Sequence, residues 1–242
     1  MRLVAILAAL AVGLATPVDA QVLLARPVQV AATLPAGTTR LTDNAYGYRP
    51  KQLGDPAPLI VLLHGAGGDA SRVLARYVPV AERWGAIVLA QQSTDVSWRI
   101  RPSPDGSLDF GPDVAKIDQA LAQLFAQVSI DPRRTVVIGF SDGASYGLSL
   151  GLANPQLFRC IVALSPGYLA IPAHVDRSQR IFITHGRRDE ILPFSNVIGN
   201  IVPALEKAGL HPRVRWFNGG HTVDDAAWNE SLDFALSPPA SP

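Results

Sequence analysis

A series of short apolar runs, each ending at a turn rich in glycine or polar residues, constrains this chain more than any other feature. Leu59-Ile60-Val61-Leu62-Leu63 ends at His64-Gly65, and Thr135-Val136-Val137-Ile138 ends at Gly139. Cys160-Ile161-Val162-Ala163-Leu164 ends at Ser165-Pro166-Gly167. Residues 86–90, 181–184 and 214–217 repeat the pattern, the last two ending at His185-Gly186 and at Asn218-Gly219-Gly220. A strand with one wet face alternates apolar and polar side chains. Runs of unbroken Val, Ile and Leu instead mark strands covered on both faces, as in a parallel sheet. The intervening segments suit helices. In Asp113–Phe125, Val114, Ile117, Leu121 and Leu124 recur at three- and four-residue spacing, with Pro112 and Asp113 fit for a first turn. Residues 144–152, 195–208 and 222–234 are further helices, and 28–34 and 41–48 read as antiparallel edge strands. The alternation predicts an α/β fold, a mostly parallel central sheet with helices on both faces. Hydrophobic residues make up 48% of the chain, enough for a sizeable core. With no internal repeat and no glycine-serine linker, residues 21–236 are expected to form a single domain.

The ends read differently. Arg2 precedes an uncharged run over residues 3–15, then Thr16, Pro17 and the small-residue site Val18-Asp19-Ala20, the pattern of a secretory signal peptide cleaved after Ala20. The run is short for a membrane span, which needs about 20 apolar residues, so no stable membrane insertion is expected after cleavage. The chain is therefore read as exported, to periplasm or medium. Residues 237–242, with three prolines, read as a disordered tail. The single cysteine, Cys160, excludes an intrachain disulfide and reads as a buried, inert thiol. With 21 Lys+Arg against 20 Asp+Glu, the net charge of +1 gives no support to a nucleic-acid partner.

In open α/β sheets the site lies beyond the carboxyl ends of the strands. There Gly139-Phe140-Ser141-Asp142-Gly143 matches G-x-S-x-G between a strand and a helix, the setting of a nucleophile elbow. A serine hydroxyl needs an adjacent base. Of the five histidines, His221 follows a strand late in the chain, where a loop can lower it over Ser141. His64 and His185 are expected to brace their loops, and His174 and His211 to be surface residues. The base needs an orienting carboxylate, in chain order between serine and histidine. Asp189, in the turn after residues 181–184, is preferred over Asp176, Glu190 and Glu206. Its alternative role is a loop carboxylate paired with Arg187 or Arg188. The backbone N–H of Asp142 and that of Ala66, with Gly67 as second choice, would form an oxyanion hole. Trp98, Tyr168 and Phe194 lie on loops at that rim and are either pocket residues or core aromatics. No cysteine pair or H-E-x-x-H motif suggests a metal, and the glycine-rich loop after His64 lacks P-loop spacing.

Taken together, Leu62 to Gly68, Gly139 to Ala144, Ser165-Pro166-Gly167, His185-Gly186-Arg187-Arg188-Asp189 through Pro193, and Gly220-His221 resemble the α/β-hydrolase superfamily. Within it they look like the phospholipase/carboxylesterase branch, similar to acyl-protein thioesterases and poly(3-hydroxybutyrate) depolymerase-like esterases. The likeness covers about residues 45–235. It implies an α/β-hydrolase fold with a minimal lid and a serine hydrolase without a cofactor. It implies Ser141 as nucleophile, Asp189 as acid and His221 as base, with Ala66 and Asp142 as oxyanion donors. The thioesterases of this branch usually carry Gln after the nucleophile, where this chain has Asp142. The expected function is a secreted serine carboxylesterase acting on a small-molecule or polymeric ester. Polyester depolymerase, phospholipase or thioesterase activity is the alternative within the enzyme class, and an inactive binding module on the same fold is the alternative outside it.

Overall fold

The structure, a computed structural model, describes residues 23–103 and 107–237. The expected leader and its Ala20 cleavage site, and the tail beyond Ser237, lie outside the described residues. Ten strands and six α-helices follow in the order β1 (Gly37–Thr42), β2 (Ala45–Arg49), β3 (Ala57–Leu63), α1 (Ala70–Trp84), β4 (Ile87–Gln91), β5 (Arg101–Pro102), β6 (Leu108–Asp109), α2 (Asp113–Phe125), β7 (Ile130–Phe140), α3 (Asp142–Ala153), β8 (Cys160–Leu164), β9 (Arg180–Gly186), α4 (Phe194–Asn196), a π-helical turn (Val197–Ile201), α5 (Val202–Lys207), β10 (Arg213–Phe217) and α6 (Asp225–Leu236). Eight strands form one sheet in the order β1-β2-β4-β3-β7-β8-β9-β10, and β5 and β6 make a separate ribbon. From β4 to β10 neighbouring strands are parallel, and β1 and β2 are antiparallel.

The apolar runs are unbroken because each sheet face has its own core. Along β3, Leu59, Val61 and Leu63 face one cluster with Ile117, Leu121 and Leu124 of α2 and Leu148 of α3. Ile60 and Leu62 face the other, with Leu74 and Tyr77 of α1 and Leu232 and Leu236 of α6. Helices thus cover both faces of the central strands β3, β4 and β8, which are buried along their whole length, whereas the edge strands β1 and β10 are partly exposed. Cys160 is buried in β8, and its thiol pKa is pushed up to about 12, chiefly by burial.

Two sequence expectations need correction. Residues 28–34 form no strand. Their backbone is pinned by a side chain and a loop carbonyl: Val30 N–H donates to Ser129 Oγ at 2.9 Å and Thr33 N–H to Gln127 O at 2.8 Å. Residues 41–48 are not one strand either. They contain the turn between β1 and β2, where Asn44 N–H donates to Thr42 Oγ1 at 3.2 Å. Among the described residues no helix is long and apolar enough to cross a membrane.

Candidate active site

Parallel strands deliver their carboxyl ends to one rim, and the expected site residues follow those ends. The Ala66 loop follows β3, Ser141 joins β7 to α3, Asp189 follows β9 and His221 follows β10. The turn at Ser141 is tight enough to exclude side chains beside it. A Cβ added to Gly139 would lie 2.0 Å from Gly143 O, and one on Gly143 would lie 2.3 Å from His64 O. Ser141 itself sits at φ 57°, ψ −123°, a region that L-residues rarely occupy. Backbone strain of this kind persists only where its surroundings enforce it. Here it turns the hydroxyl out of the sheet, at the head of α3.

Three side chains from distant parts of the chain meet there. His221 Nε2 lies 2.8 Å from Ser141 Oγ, and His221 Nδ1 lies 2.7 Å from Asp189 Oδ2. A carboxylate can only accept, so Nδ1 carries the proton and Nε2 is left to accept from the serine hydroxyl. The ring of His221 also lies 5.0 Å from that of Phe140. Asp189 is 7% exposed. Its Oδ1 accepts from Ile191 N–H at 3.0 Å and Leu192 N–H at 2.8 Å. Burial alone would raise its pKa, but the hydrogen bonds from Leu192, His221 and Ile191 outweigh it, so the carboxyl titrates below its ordinary value. Neither neighbouring arginine pairs with it: Arg187 lies over the Phe194 ring and Arg188 donates to Asn218 O. Asp176 pairs with Arg159, Glu206 lies on α5, and Glu190, His174 and His211 are exposed.

A second histidine touches the same carboxylate. His185 is wholly buried; its Nε2 donates to Leu192 O at 2.7 Å and lies 3.2 Å from Asp189 Oδ2. Burial holds its pKa below the ordinary value against the opposing pull of Leu192 and Asp189, so it stays neutral. It fastens the turn that presents Asp189. Ser165, the other non-glycine residue with positive φ among the described residues, reaches Thr222 O with its hydroxyl at 3.3 Å and so steadies the loop beside His221.

The loop after β3 lies against Ser141: a Cβ on Gly65 would come within 3.2 Å of Ser141 Cβ. Gly67 N–H donates to Val96 O at 2.7 Å, which removes the second-choice oxyanion donor. The N–H groups of Ala66 and Asp142 have no acceptor among the described residues. Residues 92–98, which follow β4, hold this loop in place. Ser93 N–H donates to His64 Nε2 at 3.1 Å, Trp98 Nε1 to His64 O at 2.7 Å, and Gln92 Nε2 to Gly68 O at 3.3 Å. Ser97 Oγ donates to Asp142 Oδ2 at 2.5 Å, so that carboxylate turns toward the loop. Among these residues sequence reasoning singled out only Trp98, although the strand-end rule applied to β4 points to the whole segment.

A cavity of about 360 Å³ opens beside His221 on the side of α1 and α6. Its aromatic lining is Tyr77, Phe140 and Trp228. Trp98, Tyr168 and Phe194 do not line it. Trp98 packs in the core against His64 and Tyr146, Tyr168 borders a shallow depression with residues 95–100, and Phe194 packs on Trp216.

Residues 109–230 match the family described as phospholipase/carboxylesterase. NocK of Nocardia uniformis subsp. tsuyamanensis, named as an esterase, is 29% identical over 212 residues, covering 78% of this chain and 56% of NocK. The chain thus spans about half the length of the curated relatives it matches. An acetyl xylan esterase from Aspergillus awamori superposes with a TM-score of 0.64 at 16% identity, covering 82% of this chain and 98% of that one. A carboxylesterase from Mesorhizobium loti gives 0.58 at 21% identity, covering 84% and 100%. At these identities the superpositions establish the fold, an α/β-hydrolase sheet.

Proposed function

The chain belongs to the phospholipase/carboxylesterase family of α/β hydrolases, and we propose that its rim site is a serine carboxylesterase centre working through Ser141, His221 and Asp189. The observation that carries this reading is the unbroken hydrogen-bonded chain from Ser141 Oγ through the imidazole to Asp189. In that arrangement His221 Nε2 takes the hydroxyl proton as Ser141 Oγ attacks an ester carbonyl. Asp189 stabilises the imidazolium that forms. The free N–H groups of Ala66 and Asp142 receive the developing oxyanion. The imidazolium then gives its proton to the departing alcohol, and water, deprotonated by the same base, releases the acid from the acyl-enzyme. The names of NocK and of the solved esterases support ester hydrolysis as the reaction class. The leader-like pattern over residues 1–20 supports export as part of the same reading. An inactive binding module would have no use for a strained serine held against a base.

The test is Ser141→Ala, which is expected to abolish hydrolysis of short p-nitrophenyl esters. A fluorophosphonate is expected to label the wild type and leave the variant unmodified. Undiminished turnover in the variant, or a wild type that resists the label, would refute the assignment.

A further inference from the structure

The cavity beside His221 carries an inference that rests on the esterase reading and names the substrate class of that site. Its floor is aliphatic, made by Leu62, Ile138 and Leu164. Its walls carry rings: Tyr77 and Trp228 stack with centroids 5.0 Å apart and planes at 29°, and Phe140 lies against His221. Arg76 and Asp225 stand at the lip, and neither has an ion partner among the described residues. Their opposite charges leave the lip without a net preference for an ionic arm, and an aliphatic floor disfavours one.

Tyr77 decides between neutral arms. It is 5% exposed, and its hydroxyl has no hydrogen-bond partner among the described residues, yet it is not sealed off. An alkyl arm filling the cavity would strip water from that hydroxyl and return nothing. A ring carrying an oxygen would replace the water and pack against aromatic walls in offset or edge-on geometry. The volume of about 360 Å³ is at the small end for ligand sites, room for one ring on a short spacer.

We propose that this cavity binds an aromatic arm of the ester, a phenyl ring bearing a hydroxyl or methoxy oxygen, and that Tyr77 recognises that oxygen. The arm belongs either to the acid or to the alcohol, since both are joined at the carbonyl that Ser141 attacks.

Two matched pairs of esters test this on the purified protein. Methyl 3-(4-hydroxyphenyl)propanoate against methyl hexanoate places the ring on the acid. 2-(4-Hydroxyphenyl)ethyl acetate against hexyl acetate places it on the alcohol. In one pair the aromatic ester is expected to exceed the alkyl ester in kcat/KM by about tenfold or more. Tyr77→Phe is expected to lower that ratio severalfold, and Trp228→Leu to erase it. A check that needs no variant is the unsubstituted phenyl ester, expected to fall severalfold below its hydroxylated counterpart. Ratios near one in both pairs, with all esters turned over, would overturn this inference and leave the esterase reading standing. Failure to hydrolyse any ester would instead overturn that reading.

Discussion

Gly186 closes β9, three residues before Asp189, and passes directly beneath the loop that carries His221. A methyl group there would lie 2.3 Å from Gly220 O and 2.4 Å from Gly219 O. Carbon-to-oxygen contacts between backbone segments settle at about 3.3 Å, so in Gly186→Ala the loop must retreat by roughly 1 Å. His221 now makes contacts of 2.8 Å to Ser141 and 2.7 Å to Asp189, and such a retreat takes both past about 3.5 Å, where neither is a hydrogen bond. A misplacement of that size costs a reaction about 10²-fold in rate. Overpacking also destabilises by about 1–3 kcal/mol, which in a domain of this size lowers Tm by roughly 2–12 °C. The assay pairs steady-state hydrolysis of a short p-nitrophenyl ester, well below the melting range, with a thermal melt. Gly199→Ala is the control, since nothing lies within 4 Å of its added methyl group; it is expected to keep activity within about twofold. Wild-type kcat in Gly186→Ala would refute the argument, because the loop could then have moved without cost or His221 need not be held where it is.

Asp189→Asn keeps the shape of the turn but offers an amide where His221 Nδ1–H needs an acceptor, and kcat is expected to fall by about 10⁴-fold; a loss under tenfold would remove Asp189 from its role. Because the folded Asp189 titrates below its ordinary value, it favours the folded state at any pH above about 3.9, the unfolded value. That contribution is lost as pH falls through the lower folded value. Denaturant titrations across this acid range are therefore expected to show a shallower loss of stability in the Asn variant than in the wild type, and parallel curves would contradict the assignment. Cys160, buried with its thiol pKa pushed up to about 12, is expected to resist iodoacetamide at pH 8 in the native protein and to react fully in denaturant. Alkylation of the native form at the rate of a free thiol would show that β8 is open to solvent.

Sequence reveals this fold where composition itself is the physical constraint. A strand buried on both faces can hold little but Val, Ile, Leu and Ala, so β3 and β8 announce themselves. The glycines at 139 and 143 are legible for a similar reason, since a Cβ at either would overlap backbone atoms and no other residue fits. Residues 28–34 mislead because valine content is not enough for a strand: an extended segment also needs a partner edge, and here Ser129 and Gln127 satisfy the backbone instead. Helix α1 hides its amphipathic stripe behind Pro79, which the helix accommodates in its interior although proline ordinarily interrupts the pattern. The segment 92–98 is silent for another reason. Its hold on His64 and Gly68 runs through single side-chain bonds to backbone, and these leave no periodicity behind. Tyr77 and Trp228 lie 151 positions apart, on helices whose register against the sheet is settled only by packing. The chemistry of the site is thus written locally, in tight turns where one residue type fits, while the walls that would choose a substrate come from helices packed late against one face. Loop swaps at the rim are therefore expected to alter rate, and changes on α1 and α6 to alter which ester is preferred.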